Sequence, residues 1–315
     1  MLRLPKHSAA AASLLLIAAT ATQAQGQVQA QPQPHATTRA DCEAAHPSAW
    51  GKVGKDVPWV PTFDAVILTM LSMAQVTPQD RVLDLGAGDG RIAIAAAKPP
   101  FGARAVGIEY DPELARLAGC LVEAEGVADR VRIVEGDIFK ESFGGADVVT
   151  MFLLPQLNRC VRHRLLALPA GTRVVSHQYS MGDWKPEQSV QVQGRDVHLW
   201  VVPPRVDGVW DFRDSQDQAF AVDLKQTYDT LTGEVTRGGA SQPLASATLR
   251  GLELRFAVGA GAEAVKFSGT VKGAEITGVL STGSTARTAV GRLRGALRAA
   301  AWAEMPPDCK RYYSR

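Results

Sequence analysis

Asp84-Leu85-Gly86-Ala87-Gly88-Asp89-Gly90-Arg91 follows the apolar pair Val82-Leu83 and runs into Ile92-Ala93-Ile94-Ala95-Ala96-Ala97. A short apolar run, a glycine cluster and an alanine-rich stretch read as strand, tight turn and helix. That context makes a glycine cluster, weak evidence by itself, into a nucleotide cradle at a helix N-terminus. The spacing is D-x-G-x-G-x-G. Its third glycine falls one position too early for the dinucleotide pattern, and Arg91 stands where that pattern wants its last glycine. An acid at the strand end disfavours a pyrophosphate and suits a cationic or zwitterionic ligand. S-adenosylmethionine (SAM), with its ammonium, sulfonium and carboxylate, is such a ligand.

Working outward, residues 55–203 alternate helical and strand patterns, the signature of a doubly wound α/β sheet. Thr62 is placed to cap a helix whose stripe is Phe63, Val66, Ile67, Met70 and Leu71. Strands are expected at Arg81 to Leu85, Ala105 to Ile108, Val131 to Val134, Ala146 to Phe152 and Thr172 to Ser176, with a closing pair at Val190 to Gln193 and His198 to Val202. Asp111-Pro112 starts a helix as cap and first-turn proline. From Pro203 the chain turns to alternating polar and apolar residues punctuated by glycine, including Gly233, Gly238, Gly239, Gly259, Gly261 and Gly273. Residues 204–315 therefore read as a small antiparallel β-rich domain, a sheet or partial barrel, with Thr248 to Phe256 as one of its strands. Nothing in it demands chemistry.

The chain has 315 residues, enough for two domains, with 46% hydrophobic content. Arg3, Lys6 and His7 precede an apolar run from Ala9 to Ala21, and Thr22-Gln23-Ala24 offers a cleavage site. Residues 1–24 thus read as a signal peptide, and 25–54 as a low-complexity, Gln/Pro/Ala-rich linker. The expected location is periplasmic or secreted, or cytoplasmic if the leader does not function; export sets a difficulty, because SAM is made in the cytoplasm. Without Arg3 and Lys6, the 34 basic residues become 32, equal to the 32 acids. A neutral mature chain is a poor general nucleic-acid binder, and Arg159, Arg162 and Arg164 read as a solvated helix face. Cys120 and Cys160 read as buried thiols, whereas Cys42 and Cys309 are open to pairing in an oxidising compartment. No cysteine or histidine spacing suggests a metal site.

The acids fall in strand-end order, where ligands of open α/β sheets lie. Asp84 ends the first strand, where a carboxylate holds an ammonium directly or through water. Gly86 and Gly88 let the backbone approach where a Cβ would collide. Glu109 ends the second strand, placed to accept from ribose hydroxyls. Asp137 follows the third, placed to accept from an adenine amino group with Ile138 on the ring. Each acid is also a plausible turn or helix cap.

Residues 55–203 resemble class I, seven-stranded SAM-dependent methyltransferases, with a Rossmann-like sheet. More narrowly, Val57-Pro58-Trp59-Val60-Pro61-Thr62, Asp84 to Arg91, Leu153-Leu154-Pro155 and Val174-Val175-Ser176-His177 are similar to a family of small protein-lysine methyltransferases with mitochondrial members. The resemblance covers about half of the chain. It implies cofactor roles for Asp84, Gly86, Gly88, Glu109, Asp137 and Ile138, and a place near the cofactor for Pro61-Thr62. It also implies a protein substrate methylated on lysine, one that can be membrane-associated. The leader, the linker and the β-rich C-terminal domain have no counterpart in the compact mitochondrial enzymes.

In this superfamily the end of strand four lines the acceptor pocket. Leu153-Leu154-Pro155 there lacks the Asn/Asp-Pro-Pro-aromatic motif that grips a planar amide or exocyclic amine, and an apolar slot suits a lysine stem. His177 reads as structural before substrate-binding, Tyr179 and Trp184 as an aromatic wall or a packed turn, and no catalytic base is assigned. Three readings stand at this point: methyl transfer to protein lysine, methyl transfer to a small-molecule amine, and an exported protein with a methyltransferase fold and no turnover.

Overall fold

Seven strands of the first half line up in the order β3-β2-β1-β4-β5-β7-β6 in a computed structural model that describes residues 37–48, 51 and 56–314. The expected signal peptide (1–24) and most of the expected 25–54 linker lie outside the described residues. The strands are β1 (Arg81–Leu85), β2 (Arg104–Glu109), β3 (Val131–Glu135), β4 (Val148–Met151), β5 (Arg173–His177), β6 (Gln188–Val192) and β7 (Arg195–Val201). The first five are parallel, and β7 runs antiparallel between β5 and β6. The order reverses between β1 and β4, so their carboxyl ends open a crevice at the switch point.

Helices cover both faces. On one lie α2 (Asp64–Met73), α3 (Arg91–Ala97) and α4 (Pro112–Ala124), packed with Val82, Val148 and Val175. On the other lies α5 (Pro155–Leu165), packed with Leu83, Leu85, Val149 and Met151. The central strands β1, β4 and β5 are buried along almost their whole length because both faces are covered. Asp111 caps α4 by accepting from the Glu113 and Leu114 amides at 2.9 and 3.1 Å, with Pro112 in the first turn. Phe63, not Thr62, is the residue before α2, and it makes no side-chain cap.

Part of the expected linker is ordered. Thr38 and Asp41 form a capping box at the start of α1 (Arg39–Ala45), a helix seated on α4. The anchor is a disulfide between Cys42 and Cys120, Cα atoms 5.6 Å apart. A second disulfide joins Cys160 to Cys309, Cα atoms 5.2 Å apart. The expected thiols at Cys120 and Cys160 are therefore bridged, and Cys42 and Cys309 each pair elsewhere than with one another. Chain ends do not predict partners; helix faces brought together by the fold do.

Beyond residue 207 an antiparallel barrel of eight strands closes in the order β10-β11-β12-β13-β14-β15-β8-β9. They are β8 (Gly208–Asp214), β9 (Ala219–Thr227), β10 (Thr230–Arg237), β11 (Ala240–Arg250), β12 (Glu253–Val258), β13 (Val265–Lys272), β14 (Glu275–Thr282) and β15 (Thr285–Arg294). Trp210, Phe212, Phe256 and Phe267 fill the interior, so the barrel is a packed core. The expected strand from Thr248 to Phe256 breaks at Gly251, whose φ of +53° turns β11 into β12. Gly233, expected at a turn, lies inside β10 opposite Leu224.

After the barrel the chain returns to the first half. Tyr313 donates to the Cys160 carbonyl at 2.9 Å, and Tyr312 and Tyr313 pack on Phe139, ring centroids 5.0 Å apart in both cases. The arginines expected as a solvated helix face contact protein groups instead, one of them in this seam. Arg159 pairs with Asp308, Arg162 is buried against the 181–183 turn, and Arg164 covers the Phe143 ring. Among the described residues, no helix is long and apolar enough to cross a membrane.

Candidate active site

The cleft at the carboxyl ends of β1 and β4 is walled by residues 56–62, the 86–92 turn, Glu109 to Asp111, Asp137 to Phe139, Phe152 to Leu154, Leu157 and Tyr179. The structure brings Thr62, Gly86, Gly88, Glu109, Asp137 and Ile138 together there. Asp84 lies one layer below. It is 1% exposed, and Thr150, its register partner on β4, donates to its Oδ1 at 2.8 Å. Its Oδ2 is buried without a hydrogen-bond partner. Burial first, then the neighbouring charges of Glu109 and Asp89, push the Asp84 carboxyl up to about 7 despite the Thr150 bond.

Glu109 is the hinge of the cleft. Its Oε2 accepts from the Gly88 amide at 2.7 Å and its Oε1 from the Asp111 amide at 2.9 Å. One carboxylate thus sets the glycine turn against the end of β2, each oxygen keeping a lone pair for a ligand hydroxyl. Burial raises its pKa, offset in part by these amides. Asp137 accepts from the Phe139 amide at 2.9 Å, so it is a turn cap as well as a cleft residue. Arg91, the cation of the wall, is held by Asp89, with Nε–Oδ1 at 2.9 Å, and donates to the Thr62 carbonyl at 3.1 Å. Acids therefore prevail over the cavity surface.

Two positions of the glycine turn are closed to side chains. Gly86 and Gly88 have φ of +73° and +58°; a Cβ on Gly86 would meet Leu153 Cδ2 at 3.0 Å, and one on Gly88 would meet Trp59 Nε1 at 2.5 Å. Trp59 lies directly over the turn. Its cover was not readable from spacing, because it joins segments 29 positions apart; an aromatic between two prolines before the first helix is the only local hint.

Thr62 Oγ and His177 Nδ1 are 3.1 Å apart in the interior. The His177 ring lies 3.9 Å from the Phe152 ring, centroid to centroid. Burial, aided by the positive charge of Arg195, lowers its pKa to about 4, so the imidazole is neutral near pH 7. His177 stands behind Phe152, which lines the cleft, and fits a structural role. Tyr179 reaches the cleft, whereas Trp184 does not. Trp184 is 1% exposed, packed on Trp200 and Tyr228, so the expected aromatic wall is Tyr179 with Phe152.

A doubly wound sheet of this strand order, an acidic crevice at its switch point and a turn built on positive-φ glycines define a class I methyltransferase dependent on SAM. A buried acid beneath the turn, acids along the cleft and positive-φ glycines that admit backbone contact fit that cofactor. A family model described as ANTKMT methyltransferase domain matches residues 84–188. A protein-lysine N-methyltransferase of Saccharolobus islandicus is 42% identical over 151 residues, spanning 46% of this chain and 94% of that protein. The adenine nucleotide translocase lysine N-methyltransferase of Mus musculus is 34% identical over 149 residues, spanning 45% of this chain and 64% of that protein. A solved structure titled an RNA methyltransferase from Salinibacter ruber in complex with S-adenosylhomocysteine (SAH) is 44% identical, covering 47% of this chain and 96% of that one, with a TM-score of 0.46. The chain belongs to the methyltransferase family that these lysine N-methyltransferases represent.

Gly88→Ala is expected to weaken SAH binding about tenfold or more, since it adds both a left-handed strain and a collision with the Trp59 indole. Calorimetric titration of the folded variant checks this, and an unchanged affinity would contradict the cradle.

Proposed function

We propose that this enzyme transfers the methyl group of SAM to the side-chain amine of lysine in a protein substrate. The observation that carries this reading is the acceptor wall. Phe152, Leu153, Leu154 and Tyr179 make it apolar and aromatic. Leu154 of that wall is 38% exposed, and Val60 and Tyr110 elsewhere on the cleft lining are 42% and 50% exposed. A cleft with such exposed apolar residues suits an aliphatic stem carried by a large partner. The names of the two relatives support lysine as acceptor.

SAM supplies a methyl already activated by its sulfonium. The protein's own part is alignment and exclusion of water. Glu109 fixes the glycine turn, Trp59 covers it, and the Phe152–Leu154 corner faces the acceptor. A lysine must lose its proton before it attacks, and apolar walls favour the neutral amine. His177 is neutral, stands behind Phe152 and does not line the cleft, so it is not assigned that proton.

Purified full-length protein incubated with radiolabelled SAM and an extract of its native cells is expected to label protein, with methyl-lysine released on hydrolysis. Glu109→Ala is expected to abolish the labelling. Label confined to RNA or to small molecules would overturn lysine as the acceptor.

We also propose that the mature enzyme works in an oxidising compartment. The basic-then-apolar N-terminus and the pairing of all four cysteines support this. Protein recovered from its native cells is then expected to begin at or near Gln25 and to yield no free thiol when denatured without reductant. An intact Met1 with reactive thiols would contradict it.

A further inference from the structure

The loop that carries Tyr179 leaves β5 through Gln178, a non-glycine residue at φ +69°. Two parts of the molecule hold it. From α5, Asn158 Nδ2 donates to the Tyr179 carbonyl at 3.0 Å, and Arg162 donates to the Met181 carbonyl at 2.8 Å and pairs with Asp183. Ser176 Oγ adds a bond to the Tyr179 carbonyl at 2.7 Å. From the barrel, the Tyr228 hydroxyl donates to Asp183 Oδ2 at 2.9 Å. The Tyr228 ring also stacks on Trp184 at 6.0 Å and 11° between planes, and the Arg162 guanidinium lies 5.2 Å from its centroid.

Tyr228 sits in the turn between β9 and β10 with φ +56°, a conformation that side chains bearing a Cβ rarely adopt. The surroundings enforce it. Gln226 Nε2 donates to the Tyr228 carbonyl at 2.7 Å and to the Pro204 carbonyl at 2.9 Å, while its Oε1 accepts from the Val206 amide at 2.8 Å. Trp302, in the returning tail, donates to the Gln226 carbonyl at 2.8 Å and packs against Tyr228 at 5.1 Å. A glycine or asparagine would relax this backbone. What a tyrosine adds is its reach to Asp183 and Trp184. Burial, then the bond to Asp183, pushes its hydroxyl up to about 12, so it remains a donor.

We propose that Tyr228 is a positioning residue for the acceptor side of the cleft, acting through Asp183 and Trp184 on the loop of Tyr179. The barrel is then a working part of the methyltransferase, and its removal loosens acceptor binding before cofactor binding. The inference rests on Tyr179 lining an amine-acceptor site, as proposed above.

The test compares full-length protein with Tyr228→Phe, which keeps the ring stack and removes the donor. Asp183→Asn, which keeps an acceptor for Tyr228 but removes the charge paired with Arg162, tests the Asp183 link from its other side. Three quantities are measured: hydrogen exchange of amides 178–184 and 84–91, SAH affinity, and kinetics of methyl transfer from SAM to poly-L-lysine. Tyr228→Phe is expected to speed exchange in 178–184 by about tenfold, the effect of losing one bond to a charged group. Exchange in 84–91 and SAH affinity are expected to stay within about twofold, KM for poly-L-lysine to rise, and kcat to change less. Asp183→Asn, which also loses the Arg162 ion pair, is expected to speed exchange in 178–184 at least as much. Unaltered exchange in 178–184, or equal loosening of both segments with weaker SAH binding, would overturn the proposal. If the unaltered protein binds SAH yet leaves poly-L-lysine unmethylated, the exchange comparison and SAH affinity still decide the role of Tyr228, and labelling of the cell extract decides the acceptor.

Discussion

A carboxylate buried in the middle of a parallel sheet is the constraint around which this molecule is arranged. Asp84 is shut away from water with one oxygen satisfied by Thr150 and the other without a partner, below a turn walled by Asp89, Glu109 and Asp137. An isolated charge in such a place is costly, and its neighbours are of the same sign. A ligand that brings positive charge to the turn relieves that cost; a phosphate would add to it. The same geometry excludes side chains from Gly86 and Gly88 and ties the turn to β2 through Glu109. Ligand charge and turn shape are therefore selected by one set of contacts.

The second half of the chain is bound to that centre at several points. The Cys160–Cys309 bridge and Tyr313 fasten the tail to α5, and Tyr312 and Tyr313 back Phe139 in one cleft wall. Tyr228 backs the loop of Tyr179 in the other. The family match ends at residue 188, before the barrel begins. The walls of a shared catalytic fold are thus braced by a part of the chain outside the matched span.

Legibility in the sequence followed the range of the interactions. Strand, glycine turn and helix around Asp84 to Ala97 are local, as are the acids at the strand ends, and all of them fall where the spacing set them. Buried parallel strands announce themselves as apolar runs, and the Asp111-Pro112 cap is carried by adjacent residues. Contacts between distant segments left no such trace. Trp59 over Gly88, Thr62 against His177, and both disulfide pairings exist only once the sheet has formed. Alternation across Gly251 hid a hairpin inside what reads as one strand. Trp184 and Tyr179 carry the same aromatic signal, and only the loop's path sends one into the core and the other to the cleft. Arg162 looks like a surface charge because its partners, Asp183 and the Met181 carbonyl, lie 19 to 21 positions away.

The most direct measurement is the count of protons exchanged when SAM binds at pH 6, taken by calorimetry in buffers of different ionisation enthalpy. A carboxyl with a pKa near 7 in the free protein is largely protonated at pH 6, and the ligand's own amine is already charged there. Binding of the cation then favours the carboxylate, so a release approaching one proton is expected, along with affinity that rises as pH climbs through 7. In Asp84→Asn the release disappears. Binding at pH 6 with no proton release, or with release untouched in Asp84→Asn, would contradict the central place given to this buried acid.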